Sequence, residues 1–410
     1  MRAFRLKPFR LFAQAKGLYL LWLFLLIFPK GGVKIAGIPL TWGYFLLGLF
    51  TIFTIFRNKL TLRSNRTQAF VAALPFQFIS LMTCAKNGID SYNFAFSFLM
   101  SFFFLPSIFF LFFSHHIESM NLDTLFKLLK KGVFFISAYG IFLFLYKLTT
   151  GKFIEIPFFT VNFHDLGELE SKNIKRGLYF KLISTYNNGN IYGICLLILL
   201  PLYLLIEKTT WKRFLVKSSL ILTLSRTVWI GWIFCEIIIG LSNPKKTTRS
   251  LLAFAWSIAI TFFVLISIGF YFGFDFLFDK SLGGRIDQFE CVKNAALFSE
   301  RPFQGIHEIT YLSILSSFGI LGLLSYLVFI TGPILITLGR PLCQIQKAIL
   351  CGLVNFLFLS FSDGAVLFIP VMAFYWFLCS LLLRKDFSTK NPFDLSPSRL
   401  GFPHHVAGST

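Results

Sequence analysis

Charge is scarce in this chain, and negative charge scarcer still: 14% of the 410 residues are charged, with 18 Asp and Glu against 39 Lys and Arg. A water-exposed globular surface of this size cannot be clothed with so few charges, so a soluble fold is excluded. The seven cysteines, Cys84, Cys195, Cys235, Cys291, Cys343, Cys351 and Cys379, include no CxxC pair and mostly fall inside apolar runs. Neither a disulfide framework nor a zinc site is indicated, and they read as small core residues. HExxH, the phosphate-binding P-loop and GxSxG are all missing, and the long polar loops hold no DxD of the kind that binds a metal-nucleotide complex. The pairs Asp275/Asp279 and Asp287/Glu290 have helical spacing but no histidine or third carboxylate beside them, so they read as solvated helix faces. The sequence calls for no metal, no cofactor and no nucleotide sugar. A small-residue cleavage site is also missing after MRAFRLKPFRLFAQAKGLYLLWLFLLIF, which therefore reads as an uncleaved first span.

What is present is apolar: 56% hydrophobic residues and a mean hydropathy of +0.72. The expected class is an all-α, polytopic integral membrane protein. The 56 Phe residues read as apolar filler drifting into Leu and Ile positions rather than as an aromatic binding device. A net charge of +21 could invite nucleic acid, but apolar runs along the whole length exclude that partner, and loop topology explains the basicity.

Runs long enough to span a core of roughly 30 Å predict twelve helices. They fall near 14–29, 38–56, 67–84, 94–113, 132–149, 189–206, 212–224, 226–241, 250–270, 310–331, 348–363 and 366–383. Basic connections (MRAFRLKPFR, RNKLTLRSNR, KLLKK, EKTTWKR, NPKKTTR, LLLRKDFSTK) recur on one side, which places both termini in the cytoplasm. Residues 1–383 are expected to form a single transmembrane domain. Residues 384–410, Pro/Ser-rich with a His pair at 404–405, read as a disordered cytoplasmic tail. Two long loops, about 150–188 and 271–309, then face the opposite side, where long ordered loops are usually functional.

The stretch LILTLSRTVWIGWIF puts Arg226 inside an apolar run. A single helix over 212–241 would centre that arginine in lipid, at several kcal/mol, and would reverse every later loop against the charge rule. Two short helices meeting at Ser225-Arg226 avoid both. Arg226 then lies just below the outer surface, either facing a polar cavity or partner, or snorkelling to the interface.

In the first long loop, Arg176 and Lys181 flank an aromatic pair just before the chain re-enters the membrane, where a lipid-linked anion would be met. The acidic stretch GELESK reads as a solvated surface. In the second, Ile286, Phe289, Val292 and Ala296 recur at helical spacing, so RIDQFECVKNAALF predicts an amphipathic helix on the outer face. Arg285 heads it after Gly283-Gly284, against the helix dipole but beside free N–H groups that attract anions, a placement suited to phosphate or to plain surface exposure. His307 and Glu308 follow at the mouth of the next span, and a histidine there suits a general base acting on a sugar hydroxyl. Gly319 and Gly322 in LSILSSFGILGLLSYL read as structural glycines for close helix packing.

STYNNGN before a span, SR at a broken span, then a long loop with GGR, RPFQG, His and YLSILSSFGILG together resemble the bacterial O-antigen polymerase and O-antigen ligase family, over about residues 175–330. The resemblance implies a metal-independent glycosyltransferase in the bacterial inner membrane, with its active site facing the periplasm. Its donor and acceptor would be oligosaccharides on undecaprenyl pyrophosphate, and a chain-length regulator is an implied partner. By position, Arg226 and Arg285 match the arginines thought to hold the pyrophosphate, and His307 is nearest to the family histidine. The chain has Asn188-Gly189-Asn190 where Asn-Pro-Asn is commoner, and Gly305-Ile306-His307 where Gly-x-Gly is usual. Glu308 holds the usual histidine position, three residues before Tyr311. The base is thus His307 or Glu308. The STYNNGN pattern and modest loops point to polymerase before ligase. A lipid-linked oligosaccharide transporter or flippase would place charges near the midplane in two matching halves. No such repeat is found here, although Glu236 within the eighth span stands apart.

Overall fold

The computed structural model describes residues 16–35, 38–57, 64–171, 175–176, 179–241, 286–289, 292 and 295–384. The expected span 250–270, Arg285, Cys291 and the 385–410 tail lie outside the described residues. An unpaired backbone N–H or C=O in hydrocarbon costs several kcal/mol, so a chain this apolar closes its hydrogen bonds within helices. It does so from α1 (Lys16–Ile27) through α2 (Trp42–Arg57), α3 (Ser64–Val71), α4 (Leu74–Asn87), α5 (Tyr92–Phe112), α6 (Ser114–Ser119) and α7 (Leu122–Thr150). The second half contributes α8 (Gly189–Ile206), α9 (Thr210–Ile221), α10 (Arg226–Leu241), α11 (Thr310–Leu338), α12 (Gln344–Leu359) and α13 (Ile369–Leu382). Two small hairpins are the named strands among the described residues: β1 (Gly32–Ile35) with β2 (Ile38–Thr41), Gly32 opposite Thr41, and β3 (Lys175–Arg176) with β4 (Tyr179–Phe180).

Among the described residues, five segments are long and apolar enough to cross a membrane: Ser64–Asn87, Tyr92–Phe112, Leu122–Thr150, Gly189–Ile206 and Thr310–Leu338. Shorter apolar helices cover Gly17–Ile27, Trp42–Phe56, Gln344–Leu359 and Ile369–Leu382. This is the helical architecture of a membrane protein. Several local expectations need correction. KLLKK, expected as a connection, lies inside α7, which starts at Leu122 because Asn121 caps it by accepting from Thr124 N at 3.0 Å. The connection RNKLTLRSNR ends within α3, where Arg66 is buried. Of the amphipathic helix expected at 285–298, Ile286–Phe289 form a 3-10 turn, Val292 is helical, residues 295–298 are not, and Arg285, Glu290, Cys291, Lys293 and Asn294 lie outside the described residues. Gly319 is structural in another way than expected: at φ 76°, ψ −172° it breaks α11 instead of smoothing its packing.

The centre of the bundle is α8, apolar all round and therefore buried on every face. Glycines set its approach distances. A Cβ on Gly352 of α12 would stand 2.1 Å from Ile198 O, and one on Gly193 would stand 2.3 Å from Val228 of α10. Small residues at these crossings let backbones close up where lipid supplies no hydrophobic drive. Much of the Phe content becomes edge-to-face packing, with Phe76 against Phe102, Phe318 and Tyr326 at 5.2–5.7 Å. Cys195, Cys235, Cys351 and Cys379 are buried and unbridged, as small core residues should be.

Cross-links sort the connections into two ends. At one, Arg66 meets Ser114, Glu118 and Ser380, Arg340 meets Asn65, Arg384 meets Met120 O, and Lys130 pairs with Glu207 at 3.5 Å. At the other, Gly32 bridges Asn162, Asn187 donates to Thr160 O, Asn87 donates to Ser299 O, and Thr310 N donates to Ser360 O. The described basic connections gather at the first end, and the described parts of the two long loops at the second.

Candidate functional site

The site is built where α8, α10, α11 and the α12–α13 turn present their loop-end termini. The chain enters α8 through a 3-10 turn at Ser184–Tyr186 and then Asn187 at φ 56°, a left-handed conformation that asparagine tolerates better than most residues. Asn188 caps the helix, its side chain accepting from Asn190 N at 2.8 Å and Ile191 N at 3.3 Å. Between them Gly189 has no room for a side chain: a Cβ would lie 2.7 Å from Leu182 O and 3.2 Å from Lys181 Cβ. That close approach draws Lys181 onto the first turn of α8, where its Nζ donates to Asn190 Oδ1 at 3.2 Å. The Asn190 amide then donates to Asp363 Oδ2 at 3.0 Å.

The neighbouring element is the break expected at Ser225-Arg226. Helix α9 ends at Ile221, Leu224 takes φ 47°, and α10 begins at Arg226. At 1.5 Å per residue the two helices are only about 18 and 24 Å long, short of a roughly 30 Å core. Leu182 N donates to Leu222 O at 2.9 Å, so the break is docked on the segment that carries Lys181. Arg226 is half-buried at the N-terminus of α10, and Thr227 beside it shares a hydroxyl hydrogen bond of 2.8 Å with Ser362.

Ser362 and Asp363 belong to the α12–α13 turn, SDGA, which in the sequence is merely a short connection. Here it joins everything. Gly364 N donates to Glu308 O at 3.3 Å and Thr310 N donates to Ser360 O at 3.2 Å, pinning the mouth of α11 to the turn. Gly364 is required, since a Cβ would come 2.2 Å from Thr310 Oγ1, and Ala365 beyond it is held at φ 44°. Non-glycine residues at positive φ (Ser184, Asn187, Leu224, Ala365) thus ring the cluster, and such strain concentrates at functional sites.

Of the residues singled out in the sequence, the structure brings together Lys181, the Arg226 turn and the His307–Glu308 segment. His307 and Glu308 are exposed; His307 N donates to Ser313 Oγ at 3.0 Å, and Gln288 Oε1 accepts from Ile309 N at 3.2 Å. The backbone of Arg176 lies in β3, whose hairpin leads into Lys181, while Arg285 lies outside the described residues. Asp363, only 8% exposed, is the residue the sequence did not advertise. A lone aspartate in a four-residue turn carries no spacing signal, and its role depends on a contact with Asn190 across the fold.

Acidic residues in the first loop also help to hold it together, while Glu170 of GELESK is exposed as expected of a solvated surface. Lys147, 5% exposed near the end of α7, donates at 2.6 Å to both Glu170 Oε2 and Gly151 O, with its Nζ 4.4 Å from the Phe153 ring and 5.1 Å from the Phe180 ring. The hydrogen bond from Lys147 holds the Glu170 carboxyl below the usual carboxylate range, against some desolvation. Glu155 accepts from Gly167 N at 2.6 Å and Leu169 N at 3.2 Å, and Lys34 pairs with Asp165 at 2.7 Å. Glu236, unexplained in the sequence, pairs with Lys217 of α9 at 2.5 Å and accepts from Trp232 Nε1 at 3.1 Å.

Chemically, the cluster offers two cations on adjacent elements, a largely buried carboxylate joined to one of them through an amide, and an exposed imidazole and carboxylate at its edge. No family model matches this chain, and neither a curated protein nor a solved structure does.

Proposed function

We propose that this protein is an O-antigen (surface polysaccharide) polymerase: an inner-membrane glycosyltransferase that joins undecaprenyl-pyrophosphate-linked repeat units on the periplasmic side. In this reading the chain has twelve spans, both termini are cytoplasmic, and the two long loops are periplasmic. The end that carries Lys181 and Arg226 then faces the periplasm. The observation that carries the reading is the convergence of Lys181, the Arg226 turn and the His307–Glu308 segment on one turn, Ser360–Ala365, at the end opposite the basic connections.

Guanidinium and ammonium groups at a low-dielectric surface stabilise a diphosphate leaving group, and Arg does so bidentately. Arg226 and Lys181, with Arg285 and Arg176 supplied by the loops, hold the donor pyrophosphate. Asp363 orients Asn190, and Asn190 orients Lys181. His307 or Glu308 takes the proton of the acceptor hydroxyl as its oxygen attacks the anomeric carbon. The bond from that carbon to the pyrophosphate oxygen breaks, and undecaprenyl pyrophosphate departs with the electron pair.

The test is the length distribution of lipopolysaccharide-linked glycan in cells lacking this gene. Core bearing a single repeat unit is the expected result. Bare core with accumulating lipid-linked polymer would make the protein a ligase that transfers polymer to lipid A core. An unchanged ladder would overturn both and bring forward a transporter of lipid-linked oligosaccharide.

A further inference from the structure

The break in α11 has an occupant. At Gly319 the backbone leaves the helix, and the N–H groups of Ile320 and Leu321 bond outside the helical ladder: Ile320 N donates to Ala296 O at 3.0 Å and Leu321 N to Leu297 O at 3.2 Å. Ser299 completes the attachment, its Oγ donating to Ser316 O at 2.8 Å and its carbonyl accepting from Asn87 Nδ2 at 2.6 Å. Only glycine permits this contact. A Cβ on residue 319 would lie 2.6–2.9 Å from Leu297 O, Phe298 Cα and Ala296 O, all backbone, and φ 76° disfavours any side chain.

The depth of this contact matters. Ile320 lies about 15 Å along α11 from Thr310, which is held at the loop end. Helix α11 is one of the segments long and apolar enough to cross a membrane, so a point about 15 Å along it lies at the depth of the hydrocarbon core. Non-helical backbone at that depth is tolerated where its polar groups are paired with protein, as the carbonyls of Ala296 and Leu297 are. Leu297 and Phe298 are nonetheless 57% and 47% exposed, level with Ile320 and continuous with Leu324 and Val328, the exposed apolar stripe of α11.

We infer that residues 295–299 form a re-entrant segment inserted into the outer leaflet, with Leu297 and Phe298 among lipid acyl chains and the backbone filling the break in α11. The insertion rests on the membrane architecture, and the name of the leaflet on the topology proposed above; neither rests on the glycosyltransferase activity, so the insertion and that activity can fail separately. The segment dips along a broken span and returns through Phe303, whose N–H donates to Gly88 O at 3.1 Å, to the cluster at 307–310.

The test uses the full chain in liposomes, with a bimane fluorophore on Leu297→Cys, Phe298→Cys or Glu300→Cys and the signal of the unsubstituted chain subtracted. Acyl-brominated lipid is expected to quench positions 297 and 298 at least twofold more than 300, and aqueous iodide to show the reverse order. Iodide quenching at 297 and 298 equal to that at 300 would overturn the insertion. In a second arm, Gly319→Ala is expected to raise iodide quenching at 297 to the level seen at 300. A folded Gly319→Ala chain whose segment stays lipid-quenched would overturn the pinning role of the break, and if that variant does not fold the first arm decides alone.

Discussion

At the end where the basic connections gather, Arg66 is 1% exposed and donates to Ser114 O, Ser114 Oγ and Ser380 O, 3.3 Å from Glu118. At the opposite end Lys181 and Arg226 are half-buried, and Lys181 donates to a side-chain amide that is itself held by Asp363. Both ends bring charge into an apolar bundle, but they use it differently. Arg66 saturates carbonyls at the meeting of α3, α6 and α13, as a buried ion must to offset desolvation. At the loop end the cations sit on helix starts and turns, at the boundary where an anionic headgroup would arrive. Arg66 closes contacts between helices, whereas Lys181 and Arg226 stay at the rim of the bundle.

Removing Arg66 tests this contrast most severely. Arg66→Ala strips a buried network, taking a cation from Glu118 and a donor from two buried carbonyls, Ser114 O and Ser380 O, and should cost about 3–5 kcal/mol; a thermal melt in detergent should show a large loss of Tm or no folded protein. Next, Arg226→Ala and Lys181→Ala should leave the melt within about 1 kcal/mol of the parent while lowering polymer formation about 10²–10³-fold, the scale for losing one preorganised charge-stabilising group. If both variants make near-normal glycan in complemented cells, the loop-end cluster is not the site. Asp363→Asn should fall between these extremes, keeping the fold and reducing activity about tenfold by loosening Asn190 and Lys181, roughly the effect of losing 1.4 kcal/mol.

Gly352→Ala probes the neutral middle of the bundle. Its methyl would meet Ile198 O at 2.1 Å, so overpacking should cost about 1–3 kcal/mol in the same melt. The smallest effect belongs to the Lys147–Glu170 clasp, since the Glu170 side chain is 49% exposed and half-exposed pairs contribute under about 1 kcal/mol. Glu170 has a depressed folded-state pKa, so its contribution is present above the unfolded value of about 4.3 and is lost as pH falls through the lower folded value. Limited proteolysis of the 151–180 loop should therefore accelerate in the parent as pH falls through the depressed folded value, and Glu170→Gln should cleave at the acid rate already at neutral pH.

Much of the helical layout was legible because lipid leaves a backbone few choices: an apolar run with charged punctuation becomes a helix. The interruption at Ser225-Arg226 could be read for the same reason, since an arginine centred in a long helix is too costly. The buried Arg66 could not be read. It is one of several arginines in a basic connection, and what distinguishes it is the distant Ser380 carbonyl. Only the end of the expected second-loop helix departs from the expectation: residues 295–298 are not helical, and Ala296 and Leu297 give their carbonyls to the break in α11. Gly319 was legible as a structural glycine but not as a helix break, since a glycine suits both close packing and positive φ.

Local composition alone determined that this chain is helical, membrane-suited and asymmetric in charge, because those properties follow from transfer free energies summed along short windows. Tertiary structure decided which charges meet. Asn190 reaches Asp363, Thr227 reaches Ser362, and Glu308 reaches Gly364 across helices that are far apart in sequence. No window of residues encodes that meeting; it arises because glycines at 189, 193, 352 and 364 let the backbones approach to distances that any side chain would forbid.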